Sequence, residues 1–174
     1  MSRFGELLEN IFIGSRKGDE LYNRIFVVSA YGGITNLLLE DKKTGEPGIY
    51  GSFAAGKNQE WQDKLDATTA KMIELNHSFA DLKLDLEAAD NFVTERMGEI
   101  KDCLLHLMQL RSFGHFKPAA YLPAAREILS SVGEAHSAFN SALILQKFNV
   151  NAVFVDLSGW KDDYSCSMEE NISR

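Results

Sequence analysis

Apolar residues recur at helical spacing near the start of the chain, at Phe4, Leu7, Leu8, Ile11 and Ile13. With Ser2 as an N-cap before them and Gly14 as a stop behind, they predict a short amphipathic helix. After the polar residues 15–20 the pattern changes. Arg24-Ile25-Phe26-Val27-Val28-Ser29-Ala30 is β-branched, aromatic and almost unbroken in its apolarity, the pattern of a strand buried on both faces of a parallel sheet. Tyr31-Gly32-Gly33 then turns the chain. Residues 34–43 read as a helix carrying Leu37, Leu38 and Leu39, ended by Thr44-Gly45-Glu46-Pro47. Residues 48–58 fit either a short helical turn or a loop.

From Trp61 onward Leu65, Thr69, Met72, Ile73 and Asn76 keep a helical period. A longer helix over residues 82–110 carries Leu82, Leu86, Ala89, Val93, Met97, Ile100, Leu104 and Leu107 in steps of three and four. The short break at Asn76-His77-Ser78 predicts that the two run as an antiparallel pair. Gly114, Pro118 and Pro123 punctuate the next region, where two helices are expected, over residues 119–131 and 134–148. The second opens at Gly133-Glu134, and its Ala135, Ala138 and Ala142 would let it lie close to a sheet. Ala152-Val153-Phe154-Val155-Asp156 reads as a second buried strand, and residues 161–174 as a polar tail. Two such strands need neighbours to satisfy their edges. The chain is therefore expected to borrow strands from another copy, as a homo-oligomer, or to be part of a longer protein.

At 174 residues, 45% hydrophobic and 25% charged, the sequence matches one globular domain and excludes disorder and fibres. Lys and Arg number 18 against 25 Asp and Glu, a net charge of -7 that repels phosphate backbones and anionic lipid heads. With no basic patch to oppose that field, neither a nucleic-acid nor a membrane partner is expected. Two cysteines, Cys103 and Cys166, are too few to frame a disulfide scaffold and fit a reducing compartment, so the chain reads as cytoplasmic. No apolar run reaches the roughly 20 residues of a membrane span, and the start lacks the order of a secretory signal.

Two places could carry chemistry. The turn at residues 29–35 joins a strand to a helix through glycines, a construction that points backbone N–H groups and a positive helix end at one spot. It matches neither the phosphate loop nor the dinucleotide fingerprint, and a plain tight turn has the same pattern. At the second, Glu134 would stand in the first turn of a helix beside Ser130, Ser131 and Ser137, where its carboxylate could accept hydrogen bonds from a ligand ammonium. The same letters, with Ser131 and Glu134 spaced S-x-x-E, also make a capping box that needs no ligand. Cys103 and His106 lie one helical turn apart, but no second pair supports them and no metal site is expected. His77, His115 and His136 have no partner visible in the sequence. Trp61 and Trp160 read as anchors of helix ends.

The segment Phe26-Val27-Val28-Ser29-Ala30-Tyr31-Gly32-Gly33-Ile34-Thr35-Asn36-Leu37-Leu38 resembles the V-V-S-A-x-x-G-x-T-N-x-L segment of aspartate kinases, members of the amino-acid kinase family. Ile128-Leu129-Ser130-Ser131-Val132-Gly133-Glu134-Ala135-His136-Ser137-Ala138, with the apolar run at 152–156, resembles that family's L-S-x-G-E-x-x-S motif and following strand. Residues 41–48 are similar to the aspartate kinases of ectoine synthesis. The resemblance implies a helix-rich α/β chain, a three-layer αβα fragment with few parallel strands. It implies a single partial domain over residues 1–174, with 48–117 as a mostly helical insert. In a complete protein it implies MgATP-dependent phosphorylation of the β-carboxylate of L-aspartate to 4-phospho-L-aspartate, for amino-acid biosynthesis. Ser29, Ala30 and Gly32 would line the aspartate side, Thr35 would hydrogen-bond the substrate, and Glu134 would face its α-ammonium. The family's K-F-G-G-T-S strand and R-G-G-S-D motif have no counterpart here. The resemblance therefore assigns no catalytic residue, and the chain alone is expected to be inactive and to bind neither ATP nor Mg2+ fully. A reading of another class is a non-catalytic helical dimerisation module with a vestigial pocket.

Overall fold

The structure is a computed structural model and describes residues 3–159. Helix α1, Arg3–Leu7, widens into a π-helical stretch at Leu8–Ile13 that buries Leu8 and Phe12 and ends at Gly14, whose φ of 59° suits glycine. Helix α2, Ile34–Leu38, is far shorter than its sequence suggests. It stops at Leu39, and the chain folds back so that Glu40 bridges Pro47, with Asp41 Oδ1 accepting from the Lys43 and Thr44 amides inside the turn. The ambiguous stretch after it forms α3, Ile49–Ala54, which puts Ile49, Ser52 and Phe53 in the interior.

The two long helices α4, Asn58–His77, and α5, Leu86–Arg111, carry the predicted stripes inward. Leu65, Met72 and Asn76 on the first, and Ala89, Val93, Met97, Ile100 and Leu104 on the second, are buried. Pairing of Asp66 with Lys101 near one end and of Asn76 with Asp90 near the other shows that they run antiparallel. Asp85 caps α5 by accepting from the Ala88 amide. Trp61, fully buried, sits edge-on to Phe53 at 5.8 Å and ties α4 to α3.

The region expected to hold two helices is one, α6, Pro118–Lys147. Pro118 opens it, and Pro123 lies close enough to that end for solvent to take up the carbonyl its ring leaves unbonded. Ser130 and Ser131 do not cap anything; their hydroxyls donate back to the carbonyls of Glu127 and Ile128. Helices α2 to α6 enclose one core around Leu38, Phe53, Trp61, Met97 and Leu129. A second cluster joins Leu8, Phe12, Phe79, Ile144 and Val150.

The expected three-layer αβα architecture is overturned: among the described residues there is no strand and no sheet, only the isolated Glu40–Pro47 bridge. The two apolar runs are extended but unladdered. Ile25 and Val27 are each 93% exposed, and Val153 and Val155 are 76% and 67% exposed, whereas Val28 and Phe154 turn toward the helices. Each run is held at one side by an arginine. Arg24 donates to the carbonyls of Phe12 and Ile11, and Arg96, itself buried, donates to Asp156 at 2.6 Å, beside the Phe92–Phe139–Phe154 ring cluster. β-Branched apolarity favours extended backbone, but a ladder needs a partner strand, and the described chain supplies none. The tail at 161–174, Trp160 and Cys166 lie outside the described residues.

Candidate functional site

The bend at Tyr31-Gly32-Gly33 docks on the middle of α6. Gly33, at φ 87°, lets the chain reverse, and the Ile34 amide donates to the Tyr31 carbonyl at 3.1 Å. Ser137 Oγ donates to the Ser29 carbonyl at 2.8 Å. Contact at the next turn is closer still, because a Cβ on Gly133 would sit 2.8 Å from the Cβ of Ala30 and 3.4 Å from Ile34 Cγ2 and Leu38 Cδ1. The glycine of the second motif is thus the surface on which the first motif rests. Segments about a hundred residues apart in sequence meet there.

Of the five residues assigned from the sequence, Ser29 and Ala30 touch α6 directly. Thr35 stands half-buried in the first turn of α2, one residue beyond Ile34. Gly32 is exposed, with open space beside it. Glu134 follows Gly133 and is half-buried; its Oε2 is shut away from solvent with no hydrogen-bond partner among the described residues. Its setting differs from the sequence expectation, because α6 starts sixteen residues earlier, at Pro118, and a mid-helix carboxylate gains nothing from the helix end. Its distinguishing feature is instead a desolvated oxygen left without a donor among the described residues.

Sequence reasoning missed the polar cluster beneath the bend. His136 and Asn140, both fully buried on α6, meet Asn76 from α4: His136 Nε2 lies 2.6 Å and Asn140 Nδ2 2.8 Å from Asn76 Oδ1. Asn76 Nδ2 donates to Asp90 on α5 at 2.9 Å, and His77 bonds the other oxygen of that carboxylate at 2.8 Å. Tyr31 packs edge-on against His136, ring centres 5.3 Å apart, and its hydroxyl lies beside Asn140 without a well-aligned bond. Burial pushes the Tyr31 phenol up to about 12, partly offset by Asn140, and pushes the His136 imidazole down to about 4, partly offset by the Asp90 charge. The available signal was the i,i+4 spacing of His136 and Asn140 on a face otherwise apolar, matched by Asn76 among the inward positions of α4.

No metal-ligating cluster of three His, Cys, Asp or Glu side chains occurs among the described residues, and His106 is exposed beside a half-buried Cys103 whose thiol is pushed up by burial. Among the described residues no helix is long and apolar enough to cross a membrane.

The two segments that resemble aspartate-kinase motifs thus converge on α6, and the chain as a whole is similar in sequence to an aspartate kinase. It is 47% identical, over 174 residues and 99% of its own length, to the aspartate kinase Ask_Ect of Stutzerimonas stutzeri (strain A1501). The chain spans 37% of that relative's length. No protein-family model and no solved structure matches it.

Proposed function

We propose that the chain supplies the amino-acid side of an aspartate kinase site, binding L-aspartate between the residue 29–35 bend and Glu134. The observation that carries this reading is the buried, unpartnered Glu134 Oε2 next to the glycine on which the bend rests. An ionised carboxylate oxygen without a donor is costly, and an α-ammonium would satisfy it through a charge-assisted bond. Ser29 and Thr35 offer hydroxyls, and Ala30 and Gly32 backbone N–H groups, for the other end of the zwitterion. In this reading residues 48–117 are a helical insert within one partial kinase domain, working in the cytoplasm.

The complete activity would be ATP-dependent phosphorylation of the aspartate β-carboxylate to 4-phospho-L-aspartate, for which Mg2+ would supply neutralisation of the phosphate charge. The described residues do not fit that half of the reaction. They hold no acidic cluster for the metal and no counterpart of the K-F-G-G-T-S strand for the phosphates. Since phosphoryl transfer depends on positioning and charge neutralisation, this chain alone is expected to turn over no ATP.

Calorimetry of the 174-residue chain with L-aspartate is expected to show weak, saturable binding. Glu134→Gln is expected to weaken it about tenfold, the cost of about one charge-assisted bond. Unchanged binding in Glu134→Gln would remove the ammonium assignment, and no heat with wild-type chain would favour the non-catalytic helical module.

Self-association belongs to the same reading, because Ile25, Val27, Val153 and Val155 present exposed aliphatic side chains on unpaired extended backbone. Light scattering at micromolar concentration is expected to give a dimer or larger; a monomer would remove the oligomer from the proposal.

A further inference from the structure

We propose that His136 and Asn140, oriented through Asn76 by the Asp90 carboxylate, form a positioning device that seats the Tyr31 bend on α6. Its functional meaning rests on reading the bend as the aspartate side of the pocket, but its structural claim does not.

The chain of orientations is forced from one end. A carboxylate accepts only, so the Asn76 edge facing Asp90 Oδ1 at 2.9 Å must be its amide nitrogen, and the oxygen must face α6. That oxygen lies 2.6 Å from His136 Nε2. A bare ring nitrogen there would set two lone pairs against each other, so Nε2 carries the proton and donates. Asn140 Nδ2 donates to the same oxygen at 2.8 Å, which leaves Asn140 Oδ1 without a protein donor of good geometry and the Tyr31 hydroxyl beside it. His136 Nδ1 is then a bare, buried nitrogen with no partner among the described residues. Asn140 Nδ2 also lies 3.2 Å from His136 Nε2, so the two nitrogens converge on the one Asn76 oxygen, and His136 braces the Tyr31 ring, which Phe79 packs from 5.3 Å. Asp90 on α5, His77 bonded to it from α4, and Tyr31 on the bend are the titratable groups that face the ring. His136 and Asn140 touch no substrate in this scheme. They act through Tyr31 and are positioning residues.

The experiment is nitrogen NMR on the whole labelled chain. The wild-type His136 ring is expected as the Nε2–H tautomer at neutral pH. Asp90→Asn removes the acceptor-only partner, allows Asn76 to turn, and is expected to move His136 toward the Nδ1–H tautomer. In the same variant the Ile34 and Leu37 amides, which donate to the Tyr31 and Gly33 carbonyls at 3.1 and 3.2 Å, are expected to exchange faster than in wild type. Loosening the bend by local opening should raise those rates about tenfold while amides around Trp61 hold theirs. His136→Gln, which retains an amide donor, should stay near wild type, and His136→Leu should match Asp90→Asn. An Nδ1–H tautomer in wild type, or unchanged exchange at Ile34 and Leu37 in Asp90→Asn, overturns the proposal. Should His136→Leu fail to fold, the near-isosteric Asp90→Asn still decides. Aspartate calorimetry on the same samples separates the two claims. Wild type that shows the exchange pattern but no aspartate heat keeps the device and sinks the functional reading; aspartate binding with an unresponsive bend does the reverse.

Discussion

The free energy of unfolding is expected to fall by about 3 kcal/mol as the pH drops from 7 to 4, with most of the loss traceable to His136. The imidazole is fully buried and held down to about 4, against 6.5 for the unfolded chain. Its folded value is depressed, so the unfolded state binds the extra proton first. The stability is complete above 6.5 and drains away as the pH falls toward 4. At about 1.4 kcal/mol per unit, that interval corresponds to about 3 kcal/mol. The paired carboxylates act later. Glu40, held low by its Arg126 hydrogen bond, and Asp85, held low by the Ala88 amide, lose their contributions only below their unfolded values of 4.5 and 3.8. Urea titrations at pH 7, 5.5 and 4.5 therefore isolate the histidine. His136→Gln should flatten the slope across that window. An equal slope in wild type and variant would mean that the ring is already charged, or open to water, in the folded chain.

Helix positions were legible because the period of apolar residues is a local property. The stripes of α4 and α5 go where the spacing of Leu65, Met72, Val93, Met97 and Ile100 sends them. The extended runs were legible only as preference. Ile25 and Val27 ask for burial, yet burial on the outer face depends on strands that residues 3–159 do not contain, and no local pattern reports that. The break expected between two helices at Gly133 failed for a different reason. Glycine lowers helix propensity by about 1 kcal/mol, yet α6 continues through Gly133, the position where a side chain would press on Ala30, Ile34 and Leu38, about a hundred residues away. The candidate site divides in the same way. Its motifs could be read by resemblance, whereas the mid-helix setting of Glu134 and the His136 cluster depend on packing between α4, α5 and α6.

That contact makes Gly133 the position where a single added carbon should matter most for the bend. In Gly133→Ala the new Cβ would meet the Cβ of Ala30 at 2.8 Å, closer than two carbons can sit, and the obstacle is a methyl on a short side chain that cannot swing away. Overpacking of this kind costs about 1–3 kcal/mol, from which the better helix propensity of alanine returns about 1. Gly133→Val loses most of that return, since a branched side chain is no great helix former, and adds two methyls against Ile34 and Leu38, so about 3 kcal/mol of destabilisation is expected. The informative case is the pair. Ala30→Gly removes the atom that the alanine strikes, so Gly133→Ala combined with Ala30→Gly should regain most of the stability lost by Gly133→Ala alone, a coupling readable in a double-mutant cycle. Under the proposed site, aspartate binding should follow the same order, because lifting the bend off α6 would part Ser29 from Ser137 and Ala30 from Gly133. If Gly133→Ala proves as stable as wild type, or if Ala30→Gly fails to restore it, the bend does not rest on α6 in solution.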